Sequence, residues 1–356
     1  MFEFNFLDKI IMIYHICNPS IYISQFYLFS NKYKIHGNLD FRYIFLEKTD
    51  ILTNRKDVRY VSFFRLLKLF LLLKNNDRVI LHSYSHPFLY VCCFLCFFKL
   101  IRFAWVIWGG DLYFYREYKN SLKYRLYEFL RKNTIRRFGY FFNNEKDYIL
   151  AKKVYQTKGV YFPVGYPQIS LKENIISGRP VLNILLGNSA DPENNHMEIM
   201  ELLSKFSKKD INVFVPLSYG GTKEYISKVV NLGDKLFGNK FIPLYDILPY
   251  KAYLKFLDSI SIMINNHHRQ QGLGNIGYLL STGAKVYIRS DATSYEELSS
   301  KGFIIFDTQL LRAMDFQDFI KMEESNKIVN HNLIYALCSS DVMAKKWEQA
   351  FDLILN

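Results

Sequence analysis

The chain has 356 residues, of which half are hydrophobic, enough for two domains with cores of their own. Its formal charge of +13 is uneven: residues 1–166 hold 26 basic and 12 acidic side chains, while the rest is close to neutral. A basic half beside a neutral one expects an anionic partner, nucleic acid or an anionic membrane surface, and five cysteines in apolar settings argue against a disulfide framework.

The first stretch, MFEFNFLDKIIMIYHICN, carries acids and no basic n-region, so it does not read as a signal peptide. Short apolar runs at 10–17, 43–46, 79–83, 103–108, 140–142 and 160–162 predict strands. Helices are predicted around 58–74, 86–99, 119–133 and 144–154. The apolar stretch 87–98 is shorter than the roughly 20 residues that span a bilayer, and 63–74 is interrupted by Arg65 and Lys68. No transmembrane helix is expected. "CCFLC" at 92–96 lacks the paired spacing of a zinc site and reads as buried helix cysteines in a reducing compartment. A polar, proline-bearing stretch, 166–180, separates this half from the next.

The second half repeats the alternation. Strands are predicted at 182–186, 211–216, 240–244, 260–264, 285–289 and 303–306, with helices at 193–207, 222–232, 247–257, 273–282 and 293–299 and two more near 314–325 and 340–353. Strict β–α alternation predicts parallel sheets covered by helices on both faces, two Rossmann-like domains in all. The expected division is 1–165, a linker at 166–180, 181–335, and a C-terminal helix at 336–356 that packs back on the first domain.

In such sheets ligands sit beyond the carboxyl ends of the strands, so the exit loops carry the candidate chemistry. In the first domain Trp108-Gly109-Gly110-Asp111 ends a strand. Asp111 is either a turn or cap residue, or a general base or binder of an acceptor hydroxyl. "LHSYSHP" adds His82 and His86, and a strand-end histidine such as His15 or His82 is more often structural. In the second domain "LLGNSADPENNH" places Gly187, Asn188 and Ser189 in a tight turn, with Asp191 or Asn194 as helix caps. Ser218, Tyr219, Gly220 and Gly221 follow the next strand, and Tyr245 is placed to stack on a base or to pack. "NNHHRQQGLGN", 265–275, is the densest: His267, His268, Arg269, Gln270 and Gln271 precede Gly272, Gly274 and Asn275 at a helix start. A cation beside a helix N-terminus needs an anion between them, which predicts a bound phosphate or diphosphate. A metal is disfavoured, because adjacent histidines do not converge on one ion and no Cys or carboxylate flanks them. Glu296 opens a further helix, where it either complements the dipole or grips ribose hydroxyls.

Taken together, "WGGDLY", "ILLGNSADPENNH" and "NHHRQQGLGN…GAKVYIRSD…YEEL" resemble the bacterial 4-acetamido-4,6-dideoxygalactose transferase family, also called TDP-N-acetylfucosamine:lipid II N-acetylfucosaminyltransferase, glycosyltransferase family 56. The resemblance is clearest over 101–116, 181–200 and 262–300. It departs at Tyr295, which stands where the family pattern has tryptophan. It implies an α/β GT-B fold, two Rossmann-like domains with parallel sheets facing across a cleft, with no cofactor and no essential metal. It also implies a nucleotide-sugar donor, a polyprenyl-diphosphate-linked glycan acceptor, and a site on the cytoplasmic face of the inner membrane, against its anionic surface. Arg269 would then contact the diphosphate and His267 or His268 would assist or hold the sugar. Gln270 and Gln271 would bond sugar or phosphate oxygens, and Gly187–Ser189 would line the same site. Trp108, Gly109, Gly110 and His82 would receive the acceptor, and Asp111 would deprotonate it if the anomeric centre inverts.

Two rivals are weaker. A nucleic-acid-binding protein would carry a helix-turn-helix, RNP or zinc-finger signature, and a dinucleotide-dependent oxidoreductase would carry GxGxxG; neither is present.

Overall fold

The structure, a computed structural model, describes residues 11–49, 52, 55–116, 121–168 and 170–356. Residues 1–10 of the stretch that does not read as a signal peptide lie outside them, as do residue 10 of the predicted strand 10–17 and residues 119–120 of the predicted helix 119–133. Two compact units result. Unit 1 takes in the described residues up to 168 together with Ser340–Asn356, and unit 2 is Ser170–Ser339.

Unit 1 contains strands β1 (Met12–Cys17), β2 (Asp40–Phe45), β3 (Val58–Tyr60), β4 (Arg78–His82), β5 (Phe103–Val106), β6 (Tyr140–Phe142) and β7 (Val160–Phe162). Its helices are α1 (Ile21–Tyr33), α2 (Phe63–Leu72), α3 (Pro87–Leu95), α4 (Gly109–Leu112), α5 (Leu122–Ile135), α6 (Glu145–Tyr155) and, from the end of the chain, α14 (Ser340–Leu355). The strands are parallel in the order β3-β2-β1-β4-β5-β6-β7. Central strands such as β5, FAWV, are buried along their whole length, as expected where helices cover both faces. The order reverses direction between β1 and β4, and the register sets Cys17 beside His82 and His82 beside Val106 at the carboxyl edge.

Three departures from the predicted elements have local causes. Residues 58–60, predicted as helix, pair with β2 as β3, and Ser62 in extended conformation delays the helix to Phe63. Helix α1 was not predicted because IYISQFYLFSNKY is rich in β-branched and aromatic residues, which favour strands. The Ser20 hydroxyl caps it, accepting from Ile23 N at 3.2 Å, and Phe26 is fully buried under it. Helix α4 was missed because it is a single turn after two glycines.

Helix α14 joins unit 1 through Trp347, which is fully buried against Phe26 and Phe351 and donates to the Gly165 carbonyl at 2.8 Å. Removing that ring from water stabilises the attachment by about 3 kcal/mol.

Unit 2 contains β8 (Leu182–Leu186), β9 (Ile211–Pro216), β10 (Phe241–Leu244), β11 (Ile260–Asn265), β12 (Lys285–Ile288) and β13 (Phe306–Asp307). Its helices are α7 (His196–Leu203), α8 (Lys223–Phe237), α9 (Tyr250–Asp258), α10 (Leu273–Ser281), α11 (Thr293–Ser300), α12 (Phe316–Ile320) and α13 (Glu324–Cys338). The sheet is parallel in the order β10-β9-β8-β11-β12-β13 and reverses between β8 and β11. The stretch before β8 is tied to this unit: Lys172 N donates to Ser281 Oγ at 2.9 Å and Arg179 Nε to the Asp258 carbonyl at 3.1 Å. Cys17, Cys92, Cys93 and Cys96 are buried and Cys338 is half-buried, and none of the five is in a disulfide. Among the described residues no helix is long and apolar enough to cross a membrane.

Candidate functional site

The reversal between β8 and β11 opens a crevice at the carboxyl ends of the two central strands, where this topology places ligands. Both exit loops converge there. The β8 loop runs from Gly187 to Asn195, and the β11 loop runs from Asn266 to the start of α10. Asn195 Nδ2 donates to the Asn266 carbonyl at 2.7 Å, and a Cβ on Gly272 would meet Asn188 Cβ at 3.4 Å. The β9 loop closes over them: Ala190 N donates to the Tyr219 carbonyl at 2.7 Å.

Several polar groups in this crevice are buried without partners. Asn265 is fully buried and neither atom of its amide is bonded; His267 is fully buried and neither ring nitrogen is bonded. Gln270 Oε1, Asn188 Oδ1 and His196 Nε2 are likewise unbonded. An unmatched buried polar group costs about 1–3 kcal/mol, so five such residues at one sheet edge make this crevice the candidate site. Burial lowers the His267 pKa to about 3, with the Arg269 charge adding to the effect, and burial lowers that of His196 to about 4. Both rings are neutral, so each can donate from one nitrogen and accept at the other.

Arg269 is already paired within the protein. The anion expected between this cation and the helix start is supplied by the protein. Arg269 donates from NH2 to Asp191 Oδ2 at 2.6 Å and from Nε to the Glu193 carboxylate, and Gln271 Nε2 donates to the same Asp191 oxygen at 3.2 Å. The arginine alone is therefore no evidence for a bound phosphate. Asp191 also caps the turn Pro192–Asn194, accepting from Glu193 N at 3.0 Å. The ion pair thus fastens the β8 loop to the β11 loop.

Gly187 shows why this turn needs glycine. Its φ is +72°, and a Cβ would lie 2.8 Å from both Asn194 Oδ1 and His196 Nε2. Asn194 cannot yield, because its Nδ2 holds the Ser189 and Asp191 carbonyls at 3.2 and 3.1 Å and its Oδ1 accepts from Asn188 N at 3.2 Å. Gly187→Ala is expected to destabilise unit 2 by about 2 kcal/mol or more. Urea titrations of the two proteins check this, and an unchanged midpoint would remove the constraint.

Of the predicted donor residues, Gly187, Asn188, Ser189, His267, Arg269, Gln270, Gln271 and Gly272 come together here. Gly274 and Asn275 lie in the first turn of α10. Tyr219 is half exposed, with its hydroxyl beside Asn188, and Ser218 precedes it. Tyr245 is not brought in: it stands exposed at the end of edge strand β10, with β9 between that strand and β8. Glu296 is exposed on α11. His268 is turned outward, its Nδ1 3.6 Å from Asp291, so a carboxylate does lie beside the histidine pair. Among the described residues no group of three His, Cys, Asp or Glu side chains is arranged to hold a metal ion. Sequence reasoning missed Asn265, Asn266, His196 and Arg289. Asn266 bonds Glu198 and Thr308, both at 2.7 Å, and Arg289 bonds Asp291 at 2.9 Å. The polar pair Asn265-Asn266 ending an apolar strand was the available signal.

The matching edge of unit 1 differs from expectation. Asp111 is buried, and both carboxylate oxygens are taken: Tyr84 N and Trp105 Nε1 donate to Oδ2 at 2.6 and 2.8 Å, and Trp108 N to Oδ1 at 2.8 Å. Burial raises its pKa while these three bonds oppose the rise. The fully buried Arg131 donates to the Asp111 and Tyr84 carbonyls. Asp111 thus knits the β4 and β5 exit loops, an arrangement that favours a positioning role over the expected general base. His82, expected beside the acceptor, is buried, and both its nitrogens are engaged, by His15 at 2.8 Å and by the Tyr166 hydroxyl at 2.7 Å. Trp108 is half-buried, donating from Nε1 to Tyr166 at 3.2 Å; Gly109 is buried and Gly110 exposed. At the β1/β4 reversal stand Asn18 and Ser85, bonded at 2.9 Å, with Asn18 Oδ1 buried and unbonded. Sequence reasoning passed over both: Asn18 stands outside the loops it weighed, and in LHSYSHP the histidines drew the attention rather than Ser85.

The profile of 4-alpha-L-fucosyltransferases, glycosyl transferase group 56, matches residues 71–353. Among solved structures the chain is similar to the N-terminal domain of Candida albicans trehalose-6-phosphate phosphatase, with a TM-score of 0.70 at 8% identity, covering 98% of this chain and 97% of that one. It is also similar to the E. coli trehalose-6-phosphate protein bound with UDP-2-fluoro glucose, with a TM-score of 0.63 at 12% identity over 97% and 98% of the two chains. The UDP-forming alpha,alpha-trehalose-phosphate synthase of Burkholderia vietnamiensis gives 0.63 at 9% identity over 97% and 99%. At such identities the likeness speaks for the fold alone. With two parallel Rossmann-like sheets, each carrying polar loops at its reversal point, and a family match over most of its length, the chain belongs to glycosyl transferase group 56 and is a glycosyltransferase of GT-B fold.

Proposed function

We propose that the protein moves a deoxy or amino-deoxy sugar from a nucleoside-diphosphate donor, dTDP-4-acetamido-4,6-dideoxygalactose as the leading candidate, to a lipid-diphosphate-linked glycan. The product would enter O-antigen or related surface polysaccharide at the cytoplasmic face of the inner membrane. The observation that carries the donor half is the set of unbonded buried groups on Asn265, His267 and Gln270 beside the N-terminus of α10. The N-terminus of that helix stands at the end of the β11 loop and suits a diphosphate. Neutral His267 and the two glutamines suit sugar hydroxyls, and Tyr219 offers a ring to the base.

The acceptor oxygen attacks the anomeric carbon. The bond from that carbon to the diphosphate oxygen breaks, its electron pair stays on the diphosphate, and the acceptor proton is released. Stabilising the leaving charge needs oriented N–H groups and a cation. Arg269 supplies the cation by turning from Asp191 and Glu193 toward the diphosphate. Trp108, Gly110, Asn18 and Ser85 line the edge that receives the acceptor, with Asp111 orienting that edge.

Thermal stabilisation by a panel of nucleoside diphosphates, with and without EDTA, tests this reading, because a ligand of the native state raises its melting temperature by mass action. One diphosphate is expected to stabilise the protein regardless of EDTA. Arg269→Ala is expected to weaken that ligand about tenfold or more. Asp191→Asn, which loosens the competing ion pair, should tighten it. Stabilisation by NAD(P) or by DNA, with no response to any diphosphate, would overturn the assignment.

A further inference from the structure

Among the described residues of unit 1, one helical face is uncovered. Helices α2, α3 and α5 pack side by side and bury an inner row that includes Leu66, Phe70, Leu89, Cys93 and Leu130. Their outer row is apolar as well. Phe64 is 79% exposed, Leu72 65%, Leu122 82% and Phe129 56%; in the 3-10 helix Phe97–Arg102 that follows α3, Phe98 is 60% and Ile101 65% exposed. These residues form one surface. Phe94 of α3 meets Phe129 of α5 with ring centroids 6.1 Å apart, and Phe97 meets Phe98 at 6.0 Å. The Arg137 guanidinium lies 5.5 Å from the Phe97 ring, and Lys99 reaches from beside Phe98 to the Leu71 carbonyl at 2.6 Å, joining this edge to α2. Contiguous exposed apolar surface on this scale marks a contact site.

The charge on the same face has one sign. Arg65, Lys68, Lys74, Lys123, Arg125 and Lys132 are exposed on or beside these helices. Among the described residues from 61 to 137 the acids are Asp77, Asp111 and Glu128, at 4%, 3% and 8% exposure, each engaged inside the unit. At one edge a cavity of about 410 Å³ is walled by Phe97, Phe98, Ile101 and Val160 and ringed by Arg136, Arg137 and Lys158.

We propose that this face docks on an anionic phospholipid bilayer, with a headgroup phosphate held in the cavity by Arg136, Arg137 and Lys158. Only a bilayer answers both features. Nucleic acid would neutralise the cations but leave the phenylalanines in water, and an apolar protein partner would leave the cations unmatched. A lipid surface takes the apolar side chains at the acyl boundary and sets phosphates against the cations. The inference deepens the reading of a lipid-linked acceptor by naming the surface that meets the membrane, and it rests on that reading only for the reason to be there.

The test is co-sedimentation of the full chain with vesicles of phosphatidylethanolamine and phosphatidylglycerol, against vesicles of phosphatidylcholine. Binding is expected with the anionic vesicles only, weakening as salt rises. Each basic residue near such a surface contributes about fivefold in partition, so Arg136→Glu with Arg137→Glu should lower binding more than about tenfold. The exposed pair Phe98→Glu with Ile101→Glu should do the same through the apolar half. Both variants are expected to keep the nucleoside-diphosphate stabilisation of unit 2. Equal binding to neutral vesicles, no binding at low salt, or undiminished binding of both variants overturns the proposal. A concentration-dependent doubling of mass that Phe98→Glu with Ile101→Glu abolishes, without vesicle binding, assigns the face to a second copy and also overturns it. An unmodified chain that binds no vesicles yet is stabilised by a nucleoside diphosphate sinks the docking alone; one that binds anionic vesicles yet responds to no diphosphate sinks the transferase reading alone.

Discussion

Asp111→Ala is expected to destabilise unit 1 by about 3–5 kcal/mol. The change leaves Tyr84 N, Trp105 Nε1 and Trp108 N without their acceptor. Trp105 is fully buried and no water replaces the carboxylate, whereas Trp108 is half-buried and recovers part of its loss. Asp111→Asn keeps the volume but sets an amide N–H₂ against an N–H donor on one side or the other, so roughly half the cost should remain. The three tryptophans, Trp105, Trp108 and Trp347, all belong to unit 1, so urea titration by tryptophan fluorescence reports this unit. A loss under about 1 kcal/mol for the alanine variant would refute the positioning role. An asparagine variant as stable as wild type yet without turnover would restore Asp111 as the base.

Unit 1 is also expected to lose stability steeply between about pH 6.5 and pH 3. His36, His15, His82 and Tyr166 form a buried chain: His36 Nε2 to His15 Nε2 at 2.9 Å, His15 Nδ1 to His82 Nε2 at 2.8 Å, and His82 Nδ1 to the Tyr166 hydroxyl at 2.7 Å. Burial lowers the His36 and His82 pKa values to about 3; His15, buried and facing both, falls well below its ordinary value. The unfolded chain protonates these rings near pH 6.5 and the folded chain does not. The unfolded state therefore binds more protons throughout the window, and stability, fully present above about pH 6.5, declines as pH falls toward 3. Each histidine contributes up to about 1.4 kcal/mol per pH unit. Asp111 and Glu128, whose pKa values burial raises, act the other way, but the histidines outnumber them, burial lowering His86 as well. Melting temperatures by tryptophan fluorescence at pH 7.5, 6 and 5 check the slope. His36→Phe, which can stack on Phe41 as the imidazole does, should be less stable at pH 7.5 but decline more gently. A flat wild-type profile would mean that the rings titrate as free histidines.

These results separate what was local from what was not. The parallel α/β plan was legible because alternating apolar runs and helical stretches are short-range patterns, and in a parallel sheet every strand end faces the same way. Reading the exit loops in order was therefore enough to reach Gly187–Ser189 and the stretch from His267 to Asn275. Helix α1 escaped because its propensity favoured strand and burial against the sheet overrode it. The place of Tyr245 was not legible because the order of strands sets β10 at an edge, and strand order is not written in any one segment.

Composition and periodicity by themselves determined two Rossmann-like units, a basic first half, and loops rich in polar groups at the strand ends. Tertiary structure decided what those groups do. Arg269 meets Asp191 across 78 residues of chain, so its charge is already answered before any ligand arrives. Asp111 closes a buried hub because Tyr84, Trp105 and Trp108 converge on it from neighbouring strands. The three histidines become a neutral chain only when β1, β4 and the turn after α1 are stacked. The exposed row of α2, α3 and α5 differs from the buried row only in which side met the sheet. A segment's sequence sets its period and its polarity; the partner that each side chain meets, and so its charge state and its role, depends on segments far along the chain.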